Sequence, residues 1–382
     1  MTALDGIRVL DFSQAMAGPT AGMLLGDFGA EVIKIEPPEG ESARRWGTAR
    51  PGPDGQFSGL YLALNRNKRG VTLDLKSAAG QADVRGLMAT ADVILENFRP
   101  GVADRLGIGY EAARAIRPDI VYCSISGFGQ TGPMRLAPGF DMLLQAYAGH
   151  MSITGEPGRT PVRSGPSPID LLTGAHAAYG ILVALRHRDR TGEGQMVDLS
   201  LYETAIHLLT NYMGDYTGGG PVPAKHGPFF AFLAPYGVFK ARDREFYLGV
   251  ESRSYGPFCN AIGRPDLAED ARFRTNPDRL RNRDALHAEL FPVFASRDAA
   301  EWVALADSLG IPVSLVHDVP EVLEQPQALA RDMVLDCGVD GVRVAGIPLK
   351  LSRTPGVFHT PPPRLGADNA AVLGPLRSPL SA

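Results

Sequence analysis

The sequence predicts an α/β protein in which a large domain carries a parallel sheet and a smaller domain is α+β. Three observations lead there. Between residues 6 and 199, short apolar runs alternate with helical stretches, the pattern of parallel strands joined by crossover helices. The ends of successive runs carry glycine-rich, amide-bearing or basic loops. From about His226 to Val319 the pattern changes to aromatic-rich strands joined by a turn at Arg242-Asp-Arg, which marks a second domain.

Residues 6–12 read as a buried strand, 17–28 as a helix stopped by Gly29, and 30–36 as a second strand. A unit of this length fits a parallel pair. Such units bind nucleotides at the carboxyl end of the first strand, here Ser13-Gln-Ala-Met-Ala-Gly-Pro19. The G-x-G-x-x-G fingerprint is absent, which makes nicotinamide or flavin chemistry a poor reading and leaves the crevice to another ligand. Residues 39–57 read as a long surface loop, and 65–76 as a basic turn leading into a short strand. A third strand at 91–95 ends in Glu96-Asn-Phe-Arg-Pro-Gly101, and a fourth at 120–125 ends in Ser126-Gly-Phe-Gly-Gln-Thr-Gly132. In an open parallel sheet these ends share one edge. A phosphate-rich ligand there would meet Lys76, Arg99, Arg105 and loop amides, with Phe98 to stack on a base. The plainer alternative makes the cations solvated surface charges and Phe98 a core residue.

The chain is organised around the stretch from Ser164 to Gly180. Ser167 fits the N-cap of a helix, Pro168 its first position and Asp170 its third, and residues 171–185 are almost uninterrupted apolar or small residues. Two readings of Asp170 stand side by side. It is half of a capping box returning to the Ser167 amide, or it is a nucleophile or base held ionised by the amides and dipole of the first turn. The helix closes at Gly192 after a basic turn that complements the dipole. A strand at 195–199 and a helix at 201–213 follow, then Gly218-Gly-Gly-Pro221, either a flexible linker or a lid. The tail, with strands near 333–344 and a proline cluster at 361–363, is too short to fold alone and is expected to return to the first domain. The domains are therefore 1–220 with 330–382, and 226–325.

Composition sets the bounds. The 382 residues are 44% hydrophobic and 21% charged, ample for two domains and a sizeable core. A net charge of -4 and a pI near 6.1 imply no general attraction to nucleic acid or an anionic membrane. No stretch of roughly 18 apolar residues runs without charge or glycine, and the N-terminus has no signal-peptide pattern, so a cytoplasmic protein is expected. Cys123, Cys259 and Cys337 lie far apart, and the eight histidines show no ligand spacing; neither a disulfide framework nor a metal is expected.

Taken in order, several segments resemble family III CoA-transferases, the group with formyl-CoA transferase, carnitine CoA-transferase and succinyl-CoA:dicarboxylate CoA-transferases. They are Val9-Leu-Asp-Phe with Ala17-Gly-Pro, Gly29-Ala-Glu-Val-Ile-Lys-Ile-Glu, Asn65-Arg-Asn-Lys-Arg, Leu73-Asp-Leu-Lys, Glu96-Asn-Phe-Arg-Pro-Gly, Tyr122-Cys-Ser-Ile-Ser-Gly-Phe-Gly-Gln-Thr-Gly-Pro, the Asp170 stretch and Ala234-Pro-Tyr-Gly-Val-Phe. The resemblance implies a Rossmann-like large domain made from both chain ends, a small domain between, and two subunits interlocked as a homodimer. It implies that Asp170 is the catalytic nucleophile and that coenzyme A, as acyl-CoA substrate, lies along the strand ends. The adenine and phosphates would meet Leu73, Lys76, Asn97, Phe98, Arg99 and Arg105. The pantetheine would run towards Gln14, Met16, Ala17, Gly127, Phe128, Gly129 and Gln130. The acceptor would be a carboxylic acid; from the residues alone, Arg44, Arg45 and Arg163 are either candidates for a distal carboxylate or solvated loop charges. Backbone amides at the start of the Asp170 helix and at Ala17-Gly18 are candidates to stabilise oxyanions.

Two departures shape the expectation. The formyl-CoA enzyme has glutamine directly before Ala-Gly-Pro, where this chain has Met16, with Gln14 two residues earlier; formyl and oxalyl chemistry become poor readings and the pocket more apolar. The related acyl-CoA racemases carry Gly-His-Asp where this chain has Gly139-Phe-Asp141, so a racemase that exchanges an alpha proton between two bases is the second reading. A CoA-binding protein without turnover is the third. His150 and His176 lie near in sequence and are read as structural.

Overall fold

The computed structural model describes residues 2–377. Strands β1 (Arg8–Asp11), β2 (Glu31–Glu36), β3 (Lys68–Thr72), β4 (Val93–Glu96), β5 (Val121–Ser126) and β6 (Met196–Ser200) form one parallel sheet in the order β3-β2-β1-β4-β5-β6. The chain winds outward from β1 to β3, then restarts at β4 on the other side. The switch between β1 and β4 opens a crevice at their carboxyl ends, where doubly wound sheets bind ligands.

The central strands β1, β2, β4 and β5 are buried on both faces, as parallel strands under helices must be. Val9, Val32, Val93, Val121 and Cys123 face one core, with helices α1 (Ala17–Asp27) and α4 (Pro168–Thr191). Leu10, Ile33, Val71, Ile94 and Tyr122 face the other, with helix α2 (Ala78–Ala89) and the C-terminal helix Asn369–Arg377. Helix α3 (Asp141–Tyr147) precedes α4 and contributes Leu144 to the first core. α1 and α4 almost touch. A Cβ on Gly174 would lie 2.5 Å from the Ala17 carbonyl oxygen and 2.6 Å from Thr20 Cβ, so glycine is required there by close approach.

α4 contains a stretch long and apolar enough to cross a membrane, interrupted by Gly174 and Gly180. Here it is a core helix along one face only, burying Ile169, Thr173, Ala177, Ile181 and Leu185. Tyr179, Leu182 and Val183 on its other side are exposed.

Two expectations are corrected, and one segment whose exposure the sequence left open proves buried. Residues 39–57 are not a plain surface loop: they include 3-10 turns at Ser42–Arg45 and Pro53–Gly55, and Glu41 and Arg44 are buried. The basic turn at 65–68 is interior too, because its cations meet buried carboxylates. Arg66 pairs with Asp27 at 2.7 Å and Lys68 with Asp11 at 2.8 Å. The helix read over 201–213 is two helices, α5 (Leu201–His207) and α6 (Thr210–Thr217).

By internal contacts the chain forms two compact units, one comprising residues up to His150, Ser164–Gly218 and those from Pro326, the other Met151–Arg163 and Gly219–Gln325. The second holds an antiparallel sheet of β7 (Tyr236–Lys240), β8 (Glu245–Gly249) and β9 (Val313–Leu315) over an aromatic core that includes Phe239, Phe246, Phe294 and Trp302. In the first, the tail adds the antiparallel pair β10 (Val334–Asp336) and β11 (Arg343–Ala345).

Candidate active site

The loop after β1 is fixed from several directions. Asn97, just past β4, takes the Gln14 amide on Oδ1 and donates Nδ2 to the Gln14 carbonyl, both at 2.8 Å. These two bonds bridge the switch point. Glu41 accepts the Ala15 amide at 2.8 Å, and Lys34, fully buried and 2.9 Å from Glu41, donates to the Ser13 carbonyl. Ala15 is thereby held at φ 64, a left-handed conformation that a non-glycine residue adopts only when its surroundings dictate it. The turn delivers Met16 and Ala17 to the start of α1. The amides of Ala17 and Gly18 begin that helix without intrahelical acceptors.

Asp170 sits in the first turn of α4. The capping box does not form: Ser167 makes no side-chain cap bond. Instead Asp141 Oδ2 accepts the amides of Ile169 at 2.9 Å and Asp170 at 3.1 Å, and the Leu171 amide bonds the Ser167 carbonyl. The helix start therefore offers no spare amide for an oxyanion, which corrects that expectation and leaves Ala17 and Gly18. Among the described residues, no group donates a hydrogen bond to the Asp170 carboxylate. Burial, and after it the charge of Asp141, push the Asp170 carboxyl up to about 7.

A cavity of about 390 Å³ joins these groups, lined by Gln14, Met16, Ala17, Asn97, Phe98, Arg99, Gly127 and Asp170. Ser42, Trp46, Phe140, Asp141, Met142 and Leu201 also line it. A second cavity of about 390 Å³ is lined by Leu73, Lys76, Leu106, Gln14 and Phe98. Gln14 and Phe98 are common to both, so the two adjoin along the strand ends. A larger cavity, about 540 Å³, lies by Phe57, Arg69 and Pro361 and contains none of these residues; carboxylate chemistry, and not size, singles out the first.

The family model for CoA-transferase family III matches residues 4–369. The chain belongs to that family. It is 37% identical over 96% of its length, and 94% of the relative's, to acetyl-CoA:oxalate CoA-transferase of Acetobacter aceti. It is 35% identical over 98% of its length, and 86% of the relative's, to succinyl-CoA:glutarate CoA-transferase of Mus musculus. The fold matches the crystal structure of a CAIB/BAIF family protein from Brucella suis with a TM-score of 0.91 at 35% identity, covering 98% of this chain and 99% of that one. The protein is thus a CoA-transferase, an enzyme that acts on CoA thioesters.

Arg105, Phe128, Gly129 and Gln130, expected to contact CoA, line neither of the two cavities in this CoA-transferase. Arg105 is exposed and lines neither cavity. Phe128 packs against Tyr147 and Tyr202. Gly129 gives its amide to Ser126 Oγ, and Gln130 is committed through its amide to Asp198 and through Nε2 to Ser124 Oγ at 2.8 Å. Of the arginines read as substrate-binding, Arg44 is buried in a bidentate pair with Glu36, 2.7 and 2.8 Å, and also meets the Tyr61 hydroxyl. Arg45 is exposed and donates to the Glu39 carbonyl, and Arg163 lies in the other unit. His150 bonds the Ala205 carbonyl and His176 packs edge-on to His207. Among the described residues no group of three or more His, Cys, Asp or Glu is placed to hold a metal.

Sequence reading missed Trp46 and Ser42, and it named Asp141 only in the Gly139-Phe-Asp141 comparison, not as the partner of the Asp170 helix. Asp141 acts across 28 residues of chain, beyond any local pattern. Ser42 and Trp46 sit in the segment read as a surface loop. Glu96 was also missed: it accepts the Phe98 amide at 2.8 Å, and burial pushes its carboxyl up to about 7.

Proposed function

We propose that this enzyme moves CoA from an acyl-CoA donor, with succinyl-CoA as a candidate, to a carboxylic acid by covalent catalysis at Asp170. The observation that carries the reading is the unbonded carboxylate of Asp170 in a cavity with the Gln14–Ala17 turn and the Asn97–Arg99 loop. An Asp170 oxygen attacks the donor carbonyl, the carbon–sulfur bond breaks, and a mixed anhydride and CoA thiolate form. The thiolate attacks Asp170 Cγ, the donor acid leaves, and aspartyl-CoA thioester remains. The acceptor carboxylate then attacks Cγ and expels the thiolate, which takes the acceptor's acyl carbon and returns Asp170. Each step exchanges one activated acyl bond for another, so no net proton or electron is needed. The Ala17 and Gly18 amides are the donors that meet the successive oxyanions.

CoA extends from this cavity into the adjoining one, its phosphates towards Lys76 and Arg99. A second copy covers the exposed face of α4 at Tyr179, Leu182 and Val183, giving the interlocked homodimer; apolar surface of this kind marks interaction sites. The racemase reading lacks support in the geometry. Phe140 stands where the related racemases carry histidine, and the Asp141 carboxylate is spent on two amides and on Gln145.

The test mixes the enzyme with succinyl-CoA and a panel of carboxylates. We expect free succinate and a new acyl-CoA in equal amounts without ATP, and loss of both in Asp170→Ala. Retained turnover in that variant overturns the nucleophile, and solvent deuterium entering the alpha carbon with no acid present moves the assignment to the racemase.

A further inference from the structure

We propose that Asp141 is the positioning residue of the nucleophile, acting with Gln145 to take over the amides at the start of α4 and leave the Asp170 carboxylate free for the acyl group. The proposal rests on Asp170 being the nucleophile. A carboxylate at the third position of a helix ordinarily folds back onto its own first turn or is quenched by the amides there. Here those amides are occupied from another element. Asp141 Oδ2 takes two of them, at 2.9 and 3.1 Å, and its Oδ1 accepts Gln145 Nε2 at 2.5 Å. Gln145, one turn along α3, accepts the Ser164 amide at 2.8 Å.

Both side chains are almost wholly buried, 6% and 1% exposed, so these bonds do not exchange freely with water. Three hydrogen bonds thus clamp the segment from Ser164 to Asp170 onto one helix, and the bond between Gln145 and Asp141 braces the two acceptors. Two consequences follow. The nucleophile has no partner to leave before it attacks, and the nearby Asp141 charge raises its basicity and with it its reactivity when ionised. The charged groups lining the cavity are Asp170, Asp141 and Arg99. Glu96, which accepts the Phe98 amide, is raised by burial to the same range, but it is common to all variants below.

The test compares the native enzyme, Asp141→Ala and the pair Asp141→Asn with Gln145→Glu. In the pair, the side-chain carbonyl introduced at position 141 accepts the two backbone amides and its NH2 donates to the carboxylate introduced at position 145. The other oxygen of that carboxylate accepts the Ser164 amide. The bonds persist and the charge moves one side chain away. The readout is the single-turnover rate of adduct formation at Asp170 with succinyl-CoA, by mass, from pH 5.5 to 8.5. We expect the native rate to rise with pH through about 7. Asp141→Ala should be at least ~10-fold slower, with its midpoint lower by about one pH unit. The pair should return to within about 3-fold of native, with its midpoint in between.

An unchanged rate and midpoint in Asp141→Ala overturn the proposal. So does a slow variant whose midpoint stays at the native value and whose paired variant is no faster, the signature of packing alone. If Asp141→Ala does not fold, the paired variant decides by itself: native-like speed with a lowered midpoint supports the clamp, and any other result overturns it. A native enzyme that forms no adduct at Asp170 with succinyl-CoA or any other acyl-CoA overturns the nucleophile reading, and the proposal with it.

Discussion

Asp170→Asn should stabilise the fold while abolishing transfer, and the size of the gain should depend on pH. The Asp170 carboxyl lies at about 7 against an ordinary 3.8, so folding disfavours its ionised form. At ~1.4 kcal/mol for each tenfold change in proton affinity, the difference of roughly 3 gives an upper bound of ~4 kcal/mol. Asp170 keeps part of its surface in water, and halving for that leaves about 2 kcal/mol. The sign follows from the raised value: below about 4 both states are protonated and nothing is lost, and the stability drains away as pH rises to about 7. Asparagine copies the neutral acid and loses nothing. In calorimetry at fixed protein concentration, Tm of the variant minus Tm of the native enzyme should grow from pH 4.5 to pH 8. The rise should be about 2 to 4 °C, the span reflecting whether the whole chain or the large unit melts as one. Any constant cost of the new amide cancels in that trend. A difference that is flat with pH, or that falls, refutes the placement of Asp170 in a desolvated site beside Asp141.

Three further outcomes are expected. Gly174→Ala must push α1 from α4, since its Cβ falls 2.5 Å from the Ala17 carbonyl oxygen; urea unfolding should show a loss of about 1–3 kcal/mol, and kcat should drop as Asp170 and Ala17 separate. Arg44→Ala strands Glu36, only 2% exposed, and should lower stability by about 3–5 kcal/mol, while KM for the acid stays put in steady-state assays. Lys76→Ala and Arg99→Ala, which remove exposed cations from the proposed phosphate end, should each raise KM for the CoA thioester about threefold to tenfold with kcat unchanged. That effect should shrink as salt is added.

Much of the fold was legible because a parallel sheet buried on both faces writes itself as short continuous apolar runs. β1, β2 and β5 lie where those runs fall, and Gly29 and Gly192 mark helix ends. The strand ends likewise marked the cleft, and Gln14, Met16, Asn97 and Arg99 meet Asp170 in one cavity. What stayed hidden depends on partners distant in sequence. Arg44 and Lys68 look like surface charges until Glu36 and Asp11 are seen beside them. The Ser167 spacing favoured a local cap, and Asp141 displaced it from 29 residues away. Gln130 was expected to face the ligand, and the partners it has here, Ser124 and Asp198 on neighbouring strands, were not legible beside it.

The central claim is covalent chemistry at Asp170, and its most direct test is the intact mass of the native enzyme and of Asp170→Ala after mixing with acyl-CoAs, with and without hydroxylamine. We predict a CoA or acyl adduct on the native chain only, released by hydroxylamine and mapped by peptide mass to Asp170. Turnover of the acyl-CoA without an adduct, or the same adduct on the Asp170→Ala chain, would contradict it.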